Sequence, residues 1–186
     1  ARINRSPNPR AALAALCVIL SACQGRPDTI TEENLRMLKN MEITRISVNP
    51  QTKHDVTLEK IGRRHTCAQT ESAFLLAREM GFSHINMDLI AGLPTDDFDG
   101  FRHSLDTVAA LNPANITVHT LALKKGADLF EKREGLSSAE AVTAMVDYAN
   151  ATLRSLGYKP YYLYRQKYMS GSFENVGWSK DGKDCL

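Results

Sequence analysis

The chain reads as an α/β domain of alternating strands and helices on a parallel sheet, part of a (β/α) barrel or an open doubly wound sheet. Three observations predict this. From Thr31 onward, strand-like apolar runs alternate with amphipathic helical runs, one unit about every 30 to 40 residues, as parallel strands joined by right-handed crossovers do. The run INMDLIAG is rich in apolar and β-branched residues, as strands covered on both faces are. A length of 186 residues with 43% hydrophobic content suffices for one core, yet falls short of the roughly 250 residues of a closed eight-unit barrel.

Residues 1–24 stand apart from this pattern. ARINRSPNPRAALAALCVILSACQ places arginines before an apolar run and ends on Leu20-Ser21-Ala22-Cys23, which resembles the lipobox of a bacterial lipoprotein signal. The same run reads as a helix at about residues 10–16 entering a buried strand at about 17–22, because short apolar runs fit helix, strand and signal alike. Residues 25–165 carry the strand–helix alternation that fits a partial barrel or an open sheet, and 166–186 are taken as the start of a C-terminal portion.

Within residues 25–165, TEENLRMLKNM is a helix capped by Thr31 with acids in its first turn, followed by the buried strand ITRISVNP. A polar loop from Gln51 to about Thr66 carries IGRRH. A helix from roughly Ala68 to Met80, closed by Gly81, leads into the strand HINMDLIAG. Thr95 and Asp96 are placed to cap FDGFRHSLDTVAAL, which Asn112-Pro113 ends. The strand ANITVHTLAL follows. SSAEAVTAMVDYANATLRSLG is then a helix with Ser137 and Glu140 as a capping box, Val142, Met145, Val146, Ala149 and Leu153 as its apolar face, and Gly157 at its C-terminus. YKPYYLYRQ starts a final strand, for a total of five strands and four helices.

Composition excludes several function classes. Lysine and arginine total 23 against 21 acids, a net charge of +2, which points to no polyanionic or nucleic-acid partner. Cys17, Cys23, Cys67 and Cys185 lack the spacing of a zinc or iron–sulfur site and the density of a disulfide scaffold, and read as free thiols of a reducing cytoplasm. No segment approaches the ~20 apolar residues of a membrane helix. GxGxxG and GxxxxGKS/T loops are absent, the five histidines show no HExxH spacing, and no lysine stands at an apolar strand end where a Schiff-base aldolase would need one.

Ligands of both barrels and open parallel sheets bind at the carboxyl ends of strands. The residues there are Gln51, Asp88 with Gly92, and the segment after His119. Asp88 is the notable one. Positions 86, 88 and 90 share a strand face, and a carboxylate in a covered strand is costly unless it is paired or serves a ligand. Read alone, Asp88 also fits a backbone cap or a lysine partner, Arg63 a solvated loop charge beside Arg64, and Gln51 a turn.

Several spaced motifs, however, agree in order with one family. GRPDTITEENLRMLKNMEITRISVNPQT, LEKIGRRHT, INMDLIAGLPTDDFDGFRHSLDTVAALNPANITVHTLALKKG and YYLYRQKYMSGSFENVGW together resemble the oxygen-independent coproporphyrinogen III oxidase family of radical S-adenosylmethionine enzymes, in particular its coproporphyrinogen dehydrogenase branch in Firmicutes. The resemblance implies a partial radical S-adenosylmethionine barrel whose mouth holds a 4Fe–4S cluster and S-adenosylmethionine, served by an electron donor. It implies a 5′-deoxyadenosyl radical that abstracts hydrogen from propionates of coproporphyrinogen III, leading to vinyl groups in heme biosynthesis. Carried over residue by residue, Gln51 meets polar groups of the cofactor, Arg63 its carboxylate and Asp88 its ribose hydroxyls, while His119 stays a core or supporting histidine.

The departures from the family are as informative. Its CxxxCxxC cluster motif and GGGTP-like segment are absent, so the resemblance places the cluster ligands outside this chain, an interior segment expected to be inactive alone. Cys23 stands where the family has a glutamate ahead of GRPDT. A heme-chaperone relative shares IGRxH and DLIxGLP-like motifs, whereas YRQKYM with ENVGW favours the coproporphyrinogen branch. A non-catalytic lipoprotein-like binding protein is supported by LSAC alone.

Overall fold

The computed structural model describes residues 26–121, 137–164, 174–180 and 182. The helix and strand expected within residues 1–24, the lipobox-like segment, and the greater part of 166–186 lie outside the described residues.

A turn of 3₁₀ helix, Pro27–Thr29, precedes α1, Glu32–Asn40, whose cap Thr31 accepts a hydrogen bond from the Asn34 amide as the sequence predicts. Strand β1 is Arg45–Ser47. The polar loop that follows contains a short helix, α2, Asp55–Lys60, which the sequence reading missed because six residues are too few to show a period. Helix α3, Cys67–Glu79, opens on a capping box between Thr66 and Gln69. Strand β2, His84–Ala91, precedes α4, Phe98–Ala110, and strand β3 is Asn115–Thr120. Helix α5 is Ala139–Ser155, and strands β4, Lys159–Tyr164, and β5, Asn175–Ser179, complete the described chain.

Two caps differ from expectation by one residue. Asp97, not Thr95 or Asp96, accepts the Gly100 amide at the start of α4, which frees Asp96 for a buried role described below. Ser138, not Ser137, accepts the Ala141 amide of α5, so Glu140 falls at the wrong position for a capping box, and Ser137 instead donates to the Asp96 carbonyl. Gly157 does end α5, with φ 81°.

The sheet order is β1-β2-β3-β5-β4. β1, β2 and β3 are parallel, as predicted, but β5 pairs antiparallel with β3 and β4 antiparallel with β5. The expected all-parallel sheet is thus mixed. ENVGW, read only as a motif, is the strand that lies against β3, while the predicted strand YKPYYLY sits at the edge, exposed at most positions. Pro160 marks a register shift there, which an edge strand tolerates because it need not donate outward.

One face of the sheet carries the core. Ile85, Met87, Leu89 and Ala91 of β2 and Ile116 and Val118 of β3 join Phe101, Leu105 and Val108 of α4 and Met145, Ala149 and Leu153 of α5 in a single apolar cluster. Trp178 of β5 is buried in it, with the Arg154 guanidinium over its ring at 5.4 Å. Tyr158 closes the base by donating to the Pro113 carbonyl at 2.7 Å. Among the described residues no helix is long and apolar enough to cross a membrane.

Candidate functional site

The burial of β2 alternates strictly, with residues 85, 87, 89 and 91 buried and 84, 86, 88 and 90 half-buried. The second face of the sheet is therefore not a second apolar core, and this settles how Asp88 is tolerated. Its neighbours across the strands are polar. Asn86 Nδ2 donates to Asp88 Oδ1 at 2.6 Å and to Ser47 Oγ at 3.3 Å, while Thr117 Oγ1 donates to Asn86 Oδ1 at 3.0 Å. Asp88 has neither a lysine partner nor a backbone cap among the described residues. His119 Nε2 lies 3.6 Å from Asp88 Oδ2.

Gln51 follows β1 and is stitched to β2 through its main chain. Its amide donates to the Asp88 carbonyl and the Ile90 amide donates to its carbonyl, both at 2.9 Å. With φ 67°, Gln51 occupies the left-handed region, a conformation costing about 1–2 kcal/mol for a residue with a side chain. The sheet hydrogen bonds hold it there. Two residues earlier in the chain, Asn49 Oδ1 is buried without a hydrogen-bond partner among the described residues.

Arg63 lies on the turn after α2, half-buried, with its amide donating to the Leu58 carbonyl. Among the described residues it has no ion-pair partner, and it does not touch Asp88. What links its turn to Gln51 is His65, a residue given no role by the sequence. The His65 ring is buried and hydrogen-bonds the carbonyl of Pro50, directly before Gln51. Burial holds its imidazole below the usual histidine range. The stretch IGRRH offered one clue, a histidine two residues after Arg63.

A second buried cluster fixes the far side of the Gln51 loop. Thr52 Oγ1 donates to Asp96 Oδ2 at 3.0 Å, and Ser104 Oγ accepts the Lys53 amide at 2.8 Å. Asp96 is 4% exposed, and burial pushes its carboxyl above the usual range, against the lowering influence of Thr52 and His54. Its Oδ1 and His54 Nε2 are 3.9 Å apart, and neither has a hydrogen-bond partner. The chain reaches Asp96 through Gly92, at φ 84°, where an added Cβ would meet Val142 Cγ2 at 2.9 Å.

Among the described residues no three His, Cys, Asp or Glu side chains converge to hold a metal. Cys67, the one cysteine described, is a single thiol, pushed up to about 12 by burial and by Asp55, whereas a cluster needs several cysteine ligands. The described residues thus do not fit an iron–sulfur cluster. The segment after His119 that the sequence marked as a strand end lies, beyond Leu121, outside the described residues.

Comparison with known proteins agrees with the fold. The radical SAM superfamily model matches residues 11–108. The chain is 45% identical over 164 residues to the oxygen-independent coproporphyrinogen-III oxidase-like protein HemZ of Bacillus subtilis, a match covering 87% of this chain and 33% of that protein. It is 34% identical over 122 residues to the heme chaperone HemW of the same organism, covering 66% of this chain and 31% of HemW. In structure it resembles coproporphyrinogen III oxidase HemN of Escherichia coli, a radical SAM enzyme, with TM-score 0.69 at 23% identity over 84% of this chain and 34% of HemN. The chain spans about a third of the length of each of these relatives. With the superfamily match extending over more than half of its residues and the fold in agreement, the chain belongs to the radical SAM superfamily.

Proposed function

We propose that this chain is an interior segment of a longer cytoplasmic radical S-adenosylmethionine enzyme that oxidatively decarboxylates propionates of coproporphyrinogen III to vinyl groups in heme biosynthesis. The observation that carries the reading is Asp88, a carboxylate on a polar sheet face with Gln51 hydrogen-bonded to its own main chain, in a chain of this superfamily. The residues fit S-adenosylmethionine. Asp88 Oδ2 has no donor among the described residues and can accept from a ribose hydroxyl. Arg63, without an acid partner among those residues, offers a forked donor to the methionyl carboxylate. Gln51, two residues after Asn49, whose oxygen is unpartnered among those residues, supplies amide donors and an acceptor for the remaining polar groups.

When bound, the cofactor with a reduced cluster supplies the hydrogen-abstracting chemistry. The contribution of these residues is to bind and orient it, and the cluster ligands belong outside this chain. Calorimetric titration of S-adenosylmethionine into the chain tests the site. Saturable binding that Asp88→Ala weakens is the expected result; no binding at any concentration reached would refute it. For the substrate, the longer protein carrying a cluster motif is reconstituted anaerobically with an electron donor and given coproporphyrinogen III. Loss of carbon dioxide supports the reading. Tight heme binding without decarboxylation supports instead a heme-chaperone relative, a reading favoured by the 34% identity to HemW.

A further inference from the structure

His119 is the one ionisable side chain paired with Asp88 among the described residues. It stands on β3 in register with Ile90, two residues beyond Thr117, so its ring shares the polar face with Asp88 and Asn86. Nε2 is 3.6 Å from Asp88 Oδ2, too far for a hydrogen bond, and both side chains keep access from solvent, at 35% and 18% exposure. The carboxylate is not free to turn toward the imidazole. Its Oδ1 is held by Asn86, and Asn86 is held by Thr117 and Ser47.

A lone carboxylate commonly grips a vicinal diol through both of its oxygens, each accepting from one hydroxyl. Here Asn86 already uses one acceptor position of Oδ1, which leaves Oδ2 the more open oxygen, and His119 stands beside that oxygen to partner a second hydroxyl. The imidazole edge of His119 is the group in place, able to donate or accept according to its tautomer. We propose that His119 is a further binding residue for the adenosyl ribose, sharing the diol with Asp88: one hydroxyl donates to Asp88 Oδ2 and the other hydrogen-bonds His119 Nε2. At 3.6 Å the two atoms stand side by side, near enough for the adjacent hydroxyls of one diol to reach one each. It rests on the reading of Asp88 as a cofactor contact.

The test is calorimetric titration of S-adenosylmethionine into the chain and into its His119→Ala, His119→Gln and Asp88→Ala variants, with urea midpoints confirming that each variant folds. His119→Ala is expected to weaken binding about tenfold, the effect of one lost hydrogen bond of about 1.4 kcal/mol. His119→Gln keeps a donor and an acceptor and should recover part of the affinity. Against 5′-methylthioadenosine and its 2′-deoxy and 3′-deoxy analogues, one deoxy analogue should bind wild type and His119→Ala alike. If Asp88→Ala weakens binding and His119→Ala leaves every ligand unaffected, this inference fails and the cofactor site stands. If wild type binds none of these ligands, the site itself fails and the inference with it.

Discussion

Gly100→Ala probes the cluster that anchors the Gln51 loop. Gly100 is in the first turn of α4, and a Cβ built there would lie 2.2 Å from Asp96 Oδ1 and 2.9 Å from His54 Nε2. Helix propensity alone favours the change by up to about 1 kcal/mol, since alanine is the better helix former. The contact opposes it. Asp96 is a short, buried side chain whose other oxygen accepts from Thr52, so it can retreat only by giving up that bond. Losing the bond costs about 0.5–1.5 kcal/mol and the crowding about 1–3 kcal/mol. The net expectation is a destabilisation of about 1–3 kcal/mol, read as a lower urea midpoint at unchanged slope. Combined with Thr52→Val, which removes the same bond, the two effects should be less than additive. A Gly100→Ala chain as stable as wild type, or more so, would show that Asp96 and His54 do not close around this position.

Asp88→Ala should weaken S-adenosylmethionine binding by about 1–3 kcal/mol in calorimetry, the scale of a lost hydrogen bond to a charged group; unchanged affinity would remove Asp88 from the site. Asp96 gives a pH dependence of definite sign. Its carboxyl is raised in the folded chain, which therefore holds the proton more tightly than the unfolded chain does. The stabilisation is full below the unfolded carboxyl value of about 3.9 and is lost as pH rises through the raised folded value. Asp96→Asn should flatten that part of the stability profile, and a profile identical to wild type would sink the assignment. Tyr158→Phe leaves the buried Pro113 carbonyl without its donor and should cost about 1–3 kcal/mol by urea unfolding, whereas a neutral change would mean that water replaces the hydroxyl.

Gln51, Arg63 and Asp88 stand out in the sequence, but what supports them does not. Asp88 was legible as an anomaly, because a carboxylate among apolar strand residues has few explanations. That its strand face would be polar was not legible, since Ser47, Asn86, Thr117 and His119 come from three separate strands and only pairing aligns them. His65 and Asp96 were missed as supports for a similar reason. One looks like a loop residue and the other like a helix cap, and their roles depend on Pro50 and Thr52, far away in sequence.

By itself the sequence determined α1, α3, α4 and α5, the strands β1 to β4, the parallel run of β1 to β3 and the resemblance to the superfamily, since periodicity, caps and spaced motifs are local properties of the chain. Only the tertiary structure decided that β5 lies between β3 and β4 and runs antiparallel, because a five-residue strand broken by Gly177 carries too little pattern to declare its neighbour. Only the tertiary structure decided, too, that His119 faces Asp88. That proximity comes from the register of two strands, a relation set by the packing of the whole sheet rather than by either segment.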